Sequence, residues 1–155
     1  MPEMNPSTLY SLIYSSRATN FMSEYELTEL ASQAAAKNQQ LSITGFMQYK
    51  NGFFLQYLEG EESQVLSLMD TIARDHRHTV TRVIRLPNQP NPRFEEWYMR
   101  YLSQKEFGTI GLIDLIENII MKMNNFAFEK KYIQANISRL IDQVSEYHHK
   151  YGTLF

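Results

Sequence analysis

The stretch Gly52-Phe53-Phe54-Leu55-Gln56-Tyr57-Leu58-Glu59-Gly60 decides how this chain is read. Aromatic and apolar residues run between two glycines, which is the composition of a strand. Strand side chains alternate faces, so Phe54, Gln56 and Leu58 point one way and Phe53, Leu55 and Tyr57 the other. Both faces are apolar, so the strand is expected to be buried on both sides, and Gln56 carries a primary amide into that interior. A buried amide without partners costs about 1–3 kcal/mol. A side chain, a water or a ligand must therefore meet it, and the rest of the chain favours a ligand.

Outward from this strand, Asn51-Gly52 is a two-residue hairpin signal that joins it to an earlier strand over residues 43–49. Residues 9–15 read as a first strand, with Leu12 and Tyr14 in phase. Asn20 or Ser23 caps a helix over residues 24–38, whose stripe is Leu27, Leu30, Ala31 and Ala34. A second helix is expected over 61–75, with Val65, Leu68, Met69 and Ile72 as its apolar face. A fourth strand follows over 80–86, then a loop with Pro87, Pro90 and Pro92, then a fifth strand over 97–102. The order β-α-β-β-α-β plus one strand predicts an α+β fold, a ferredoxin-like sandwich with both helices on one face of a mixed sheet. From Gly108 the period turns helical. Leu112, Ile113, Ile116, Ile119, Ile120 and Met123 mark one helix. Ile133, Ile137, Leu140, Val144 and Tyr147, spaced as an a/d seam, mark a second over 129–150. Such a seam packs on a second subunit or folds back as a hairpin on the sheet's open face, and the hairpin is expected. The division is a sensor domain over 1–104 and a helical appendage over 105–155.

Composition narrows the function classes. One domain of this kind fits in 155 residues. A net charge of −2 supplies no basic field for nucleic acid. The absence of cysteine removes disulfides, thiolate metal sites and cysteine nucleophiles. His76 and His78, two residues apart, form a poor metal pair. Residues 1–7 show no basic or apolar leader, and no run approaches the roughly 18 apolar residues of a spanning helix. A cytoplasmic protein is expected. Ten Tyr, nine Phe and eight Met suit an aromatic-rich core or a pocket for a flat ring.

Tyr14, Asn38, Gln56 and the pair Trp97 and Met99 stand at positions that the patterns bury. Each has an ordinary reading: core tyrosine, helix C-cap, backbone-bonded amide, core packing. Together, Tyr14, Asn38 and Gln56 could converge from three elements. Trp97 and Met99 are expected on one face of the fifth strand.

Leu12-Ile13-Tyr14-Ser15-Ser16, Asn38, Ile43-Thr44-Gly45, Phe54 to Gly60, Asp75-His76-Arg77-His78 and Phe94-Glu95-Glu96-Trp97-Tyr98-Met99 resemble, in order and spacing, the signature of the BLUF family of flavin-binding blue-light sensors. The resemblance spans residues 9–102. It implies a flavin between the two helices, roughly perpendicular to the sheet, with Asn38 and Gln56 on its polar edge. Phe54 and Ile72 would wall the ring. Asp75, Arg77 and His78 would line its other side and the ribityl–phosphate tail; Lys37 would face the flavin or water. It further implies light-driven transfer of an electron and proton from Tyr14 to the flavin, which leaves Gln56 with an altered hydrogen bond. Trp97 or Met99 packs near that glutamine, and the signal would run through the fifth strand into the C-terminal helices.

The resemblance also implies FAD as cofactor, no catalytic activity in this chain, and output to a downstream regulatory protein or a change of homo-oligomer. No Gly-rich dinucleotide fingerprint selects FAD over FMN. Two other readings are weighed: a flavin-free interaction module on the same fold, and an acylphosphatase-like hydrolase using Arg17 and Asn20. The second leaves Asn38 and Gln56 without a role.

Overall fold

The computed structural model describes residues 8–151, so the stretch 1–7, read above for a leader, lies outside the described residues. The elements are β1 (Leu9–Ala18), α1 (Glu24–Gln40), β2 (Thr44–Lys50), β3 (Phe53–Gly60), α2 (Glu62–Ala73), β4 (His78–Gln89), β5 (Arg100–Tyr101), α3 (Gln104–Thr109), α4 (Ile113–Met123) and α5 (Lys130–Tyr151). The sheet order is β4-β1-β3-β2-β5. The first four strands are antiparallel, and β5 joins β2 in parallel. This is the expected ferredoxin-like sandwich with a fifth strand.

Local chemistry fixes the joints. Ser23 caps α1, its hydroxyl accepting from the Glu26 amide while the Glu26 carboxylate accepts from the Ser23 amide. Asn51 and Gly52 both take positive φ, 53° and 84°, as the two-residue turn between β2 and β3 requires. Gly45 lets β2 lie close against β3: a Cβ there would fall 1.9 Å from the Tyr57 carbonyl oxygen.

Alternation along the strands divides the interior. Leu12, Tyr14, Met47, Phe54 and Leu58 face α1 and α2 in one buried cluster. Ile13, Phe46, Leu55, Tyr57 and Ile84 face the C-terminal helices in another. The α5 seam of Ile133, Ile137, Leu140 and Val144 is fully buried in that second cluster. It is therefore used inside the chain, as a hairpin docked on the open face of the sheet.

Three expectations change. The C-terminal helices number three among the described residues, because a capping box of Ser103 and Glu106 starts a short α3 and Gly111, at φ 73°, separates it from α4. The fourth strand runs through Pro87 to Gln89; as an edge strand it needs no ladder hydrogen from proline. The fifth strand shrinks to two residues, since the Trp97 amide closes a turn on the Phe94 carbonyl at 3.1 Å.

Candidate functional site

A cavity of about 240 Å³ opens between α1 and α2 above the sheet. Tyr14, Asn38, Phe54, Gln56, Ile72, Asp75, Arg77 and His78 all line it. Its floor is one row across three strands: Tyr14 of β1 and Met47 of β2 both pair in register with Gln56 of β3. The antiparallel register points their side chains to the same face.

Within this row the Tyr14 hydroxyl donates to Gln56 Oε1. The amide is thereby oriented: Nε2 turns to the Met99 sulfur, at 3.5 Å. A thioether is a weak acceptor, and an amide nitrogen has two hydrogens to place. No oxygen or nitrogen acceptor among the described residues reaches Gln56 Nε2, although the residue is only 8% exposed. Asn38 is in a complementary position. It is 2% exposed at the end of α1, and its Nδ2 donates to the Tyr98 carbonyl at 2.8 Å. No donor among the described residues reaches its Oδ1. The slot thus presents one unmet donor and one unmet acceptor between apolar walls.

Burial, reinforced by the negative charge of Asp75, pushes the Tyr14 phenol above its ordinary pKa, so its proton stays in place. At the rim, the Arg77 guanidinium donates from Nε to both Asp75 oxygens at 3.0 Å. Those bonds hold the Asp75 carboxyl at a pKa of about 2 against the opposing effect of burial. Arg77 therefore reaches the slot already paired, while Lys37 lines it with no acidic partner among the described residues. His78 uses both ring nitrogens on the protein: Nε2 lies 2.7 Å from the Ile72 carbonyl and Nδ1 2.8 Å from the Ser16 hydroxyl. Its ring stands edge-on to Tyr14 and Phe54, as a wall. Among the described residues no group of three potential ligands gathers for a metal.

Trp97 and Met99 do not share a face. Met99 sits in the cluster beneath α1 and α2, beside Gln56. Trp97 lies in the cluster of the C-terminal helices, stacked on Phe94 and edge-on to His148, with ring centroids 4.7 Å apart. The expectation failed because residue 97 belongs to a turn, where strand alternation does not apply. Arg17 of the hydrolase reading lies over the Phe53 ring and does not line the slot. Met47 and the Tyr98 carbonyl escaped the sequence reading. Met47 was legible as a residue in phase on β2; a backbone carbonyl leaves no mark in a sequence.

The profile of the BLUF family, described as sensors of blue-light using FAD, matches residues 9–100. The chain belongs to the BLUF family. Among its relatives is the photoactivated adenylate cyclase subunit beta of Euglena longa, 32% identical over 136 residues, a match covering 87% of this chain and 16% of that protein. The chain thus spans a small part of the curated relatives it matches. The dark-state structure of BlrB, a BLUF protein, superposes with a TM-score of 0.65 at 25% identity, covering 90% of this chain and 97% of that one. Klebsiella pneumoniae BlrP1, solved with FMN and cyclic diGMP, superposes with a TM-score of 0.56 at 31% identity over 84% of this chain and 34% of that one. The slot suits the flavin that defines a BLUF domain. Its apolar walls match a planar ring, and Gln56 Nε2 and Asn38 Oδ1 match an edge that alternates acceptors with a donor. Among the described residues of this BLUF protein no helix is long and apolar enough to cross a membrane.

Proposed function

We propose that this BLUF protein binds FAD non-covalently in the slot between α1 and α2 and reports blue light through the Tyr14–Gln56 hydrogen bond. The observation that carries the reading is the half-committed amide. Gln56 Oε1 is held by the Tyr14 hydroxyl, while Nε2 has only the Met99 thioether and the slot to bond. When bound, the flavin supplies blue-light absorption and, once excited, an oxidant. Asn38 Oδ1 and Gln56 Nε2 would hold the polar edge of its ring, Phe54, Ile72 and His78 its faces, and Lys37 and Arg77 would meet its phosphates. Tyr14 is placed to release and recover its phenolic proton at Gln56 Oε1. Exchanging the two ends of the amide, by rotation or tautomerisation, replaces an acceptor with a donor in nearly the same volume. That suits a reversible switch with no covalent change.

The described residues form the BLUF sensor fold and the three helices packed on it, and in this reading the chain acts as a sensor. Its output passes through Met99, the turn at Trp97 and the helices beyond residue 104 to a downstream regulatory protein or to a change of homo-oligomer in the cytoplasm.

The test is the absorption spectrum of the purified protein, dark and after blue illumination, with the released flavin identified by chromatography. A flavin band that shifts slightly red in light and returns in darkness supports the reading, and Tyr14→Phe should abolish the shift. A yellow protein that never shifts would overturn the light-sensing role. FMN as the released flavin would overturn the choice of FAD.

A further inference from the structure

Glu59 lies three residues beyond Gln56 on β3 and projects from the opposite face of the sheet. It is 1% exposed, and a carboxylate is costly to bury unless its oxygens are fully bonded. Here each oxygen receives three donors. Oε1 accepts from the Tyr57 hydroxyl at 2.8 Å, Gln89 Nε2 at 2.7 Å and the Arg93 amide at 3.0 Å. Oε2 accepts from the Thr44 hydroxyl at 2.6 Å and from the Arg93 and Phe94 amides, both at 2.9 Å. Among the described residues no side-chain cation bonds it: the anion is held by neutral donors, two of them successive backbone amides.

Those two amides begin the connector that serves the slot. The Phe94 carbonyl accepts from the Trp97 amide at 3.1 Å, and the Trp97 carbonyl accepts from the Gly45 amide at 2.8 Å. The next two residues supply the contacts described above, Tyr98 to Asn38 and Met99 to Gln56. A closed circuit results. Gln56 is joined to Glu59 by β3, Glu59 to Arg93 and Phe94 by charge-assisted bonds, and those to Met99 by one turn, which returns to Gln56.

Resting on the reading of Gln56 as the group that light rearranges, we propose that Glu59 is a positioning residue for the photocycle. It fixes the connector over 93–99 so that the Tyr98 carbonyl and the Met99 sulfur hold the two slot amides in their dark orientation. Loosening that anchor removes the partners that favour the return of Gln56, so dark recovery slows. The effect runs through Met99 and disappears when Met99 cannot bond.

The experiment is a double-mutant cycle on the flavin-loaded protein, reading the rate of dark recovery after blue illumination. Glu59→Gln keeps the shape but cannot accept on both ends. It should retain the flavin and the light-induced shift yet recover about threefold or more slowly. In a Met99→Leu background the same substitution should change recovery less than about twofold. Thr44→Val, which removes one donor and leaves the carboxylate, should slow recovery in the same direction by less, and stands in if Glu59→Gln does not fold. Unchanged recovery, or equal slowing with and without Met99, would overturn the proposal. Hydrogen exchange of the amides over 93–99 gives a readout that needs no photochemistry. Glu59→Gln should accelerate it while the amides of α2 keep their protection, and unaltered exchange would also sink the idea. Absence of any shift in the unsubstituted protein would instead strike the light-sensing reading, and the exchange measurement would still judge the anchor.

Discussion

The two faces of the sheet are made from the same strands and end in opposite conditions. Towards α3, α4 and α5, Ile13, Phe46, Leu55 and Tyr57 interlock with Ile116, Ile119, Ile137 and Leu140, and the layer is closed. Towards α1 and α2, Leu12 and Leu58 pack as tightly at one end, while Tyr14, Gln56, Asn38 and Phe54 floor and edge an open slot. Alternate residues of one strand therefore do different work: Leu55 and Tyr57 hold the fold together, and Gln56 between them presents chemistry. The closed face supplies the rigidity that keeps two half-bonded amides aimed into a cavity.

Neighbouring residues on β3 can break this comparison most sharply. Gln56→Leu should remove the light-induced shift altogether at a stability cost of no more than about 1–3 kcal/mol, since the gain from deleting an under-satisfied amide is set against the buried Tyr14 hydroxyl it leaves without an acceptor. Leu55→Ala should do the reverse, losing about 2–5 kcal/mol of unfolding free energy while the shift persists. Urea titration and the dark-minus-light spectrum read both properties. If Leu55→Ala abolished the shift at full flavin occupancy, the faces would not be separable.

Met99→Ala, at the join between the faces, should keep the photoproduct and weaken the light-driven structural change. Limited proteolysis of the C-terminal helices in dark and light would show it, and a response as large as in the unsubstituted protein would remove Met99 from the path.

The smallest effect belongs to the rim. The folded-state pKa of Asp75 is depressed to about 2 from an ordinary 3.8. Its stabilising contribution is thus complete above pH 3.8 and lost as pH falls through the folded value of about 2. The pair is partly solvated, so its worth is about 0.2–1 kcal/mol. Acid unfolding followed by circular dichroism should lose that increment in Asp75→Asn, and identical acid curves would show the ion pair to be energetically idle.

The division of faces was legible in the sequence wherever alternation was sustained. Gln56 in phase with Phe54 and Leu58 already placed an amide on the face of α1 and α2, and the Asn51-Gly52 turn fixed its hairpin. Asn38 could be placed because it continues the stripe of Leu27 and Ala31. The pattern failed where backbone geometry replaced side-chain periodicity. The turn over 94–97 sends Trp97 and Met99 to opposite sides although they stand two apart. The short α3 is written in a capping box of Ser103 and Glu106, but six residues are too few for an apolar stripe to announce a helix. The six bonds of Glu59 bring together residues up to 35 positions away, and two of its donors are backbone amides of Arg93 and Phe94. Nothing in a linear pattern reports such a partner.

The two-residue turn at Asn51 and Gly52 bears on the order in which the molecule assembles. It makes the β2–β3 hairpin a local event, of the kind that forms in about 1–10 μs. Tyr14 must instead find Gln56 across 42 residues of chain, a closure that carries the entropy of a long loop. The slot is thus expected to be completed after the hairpin, when β1 takes its place between β3 and β4. In this order of events Gln56 gains its hairpin register before Tyr14 closes on it. A ligand that binds only the finished slot would draw the equilibrium toward the closed sheet by mass action.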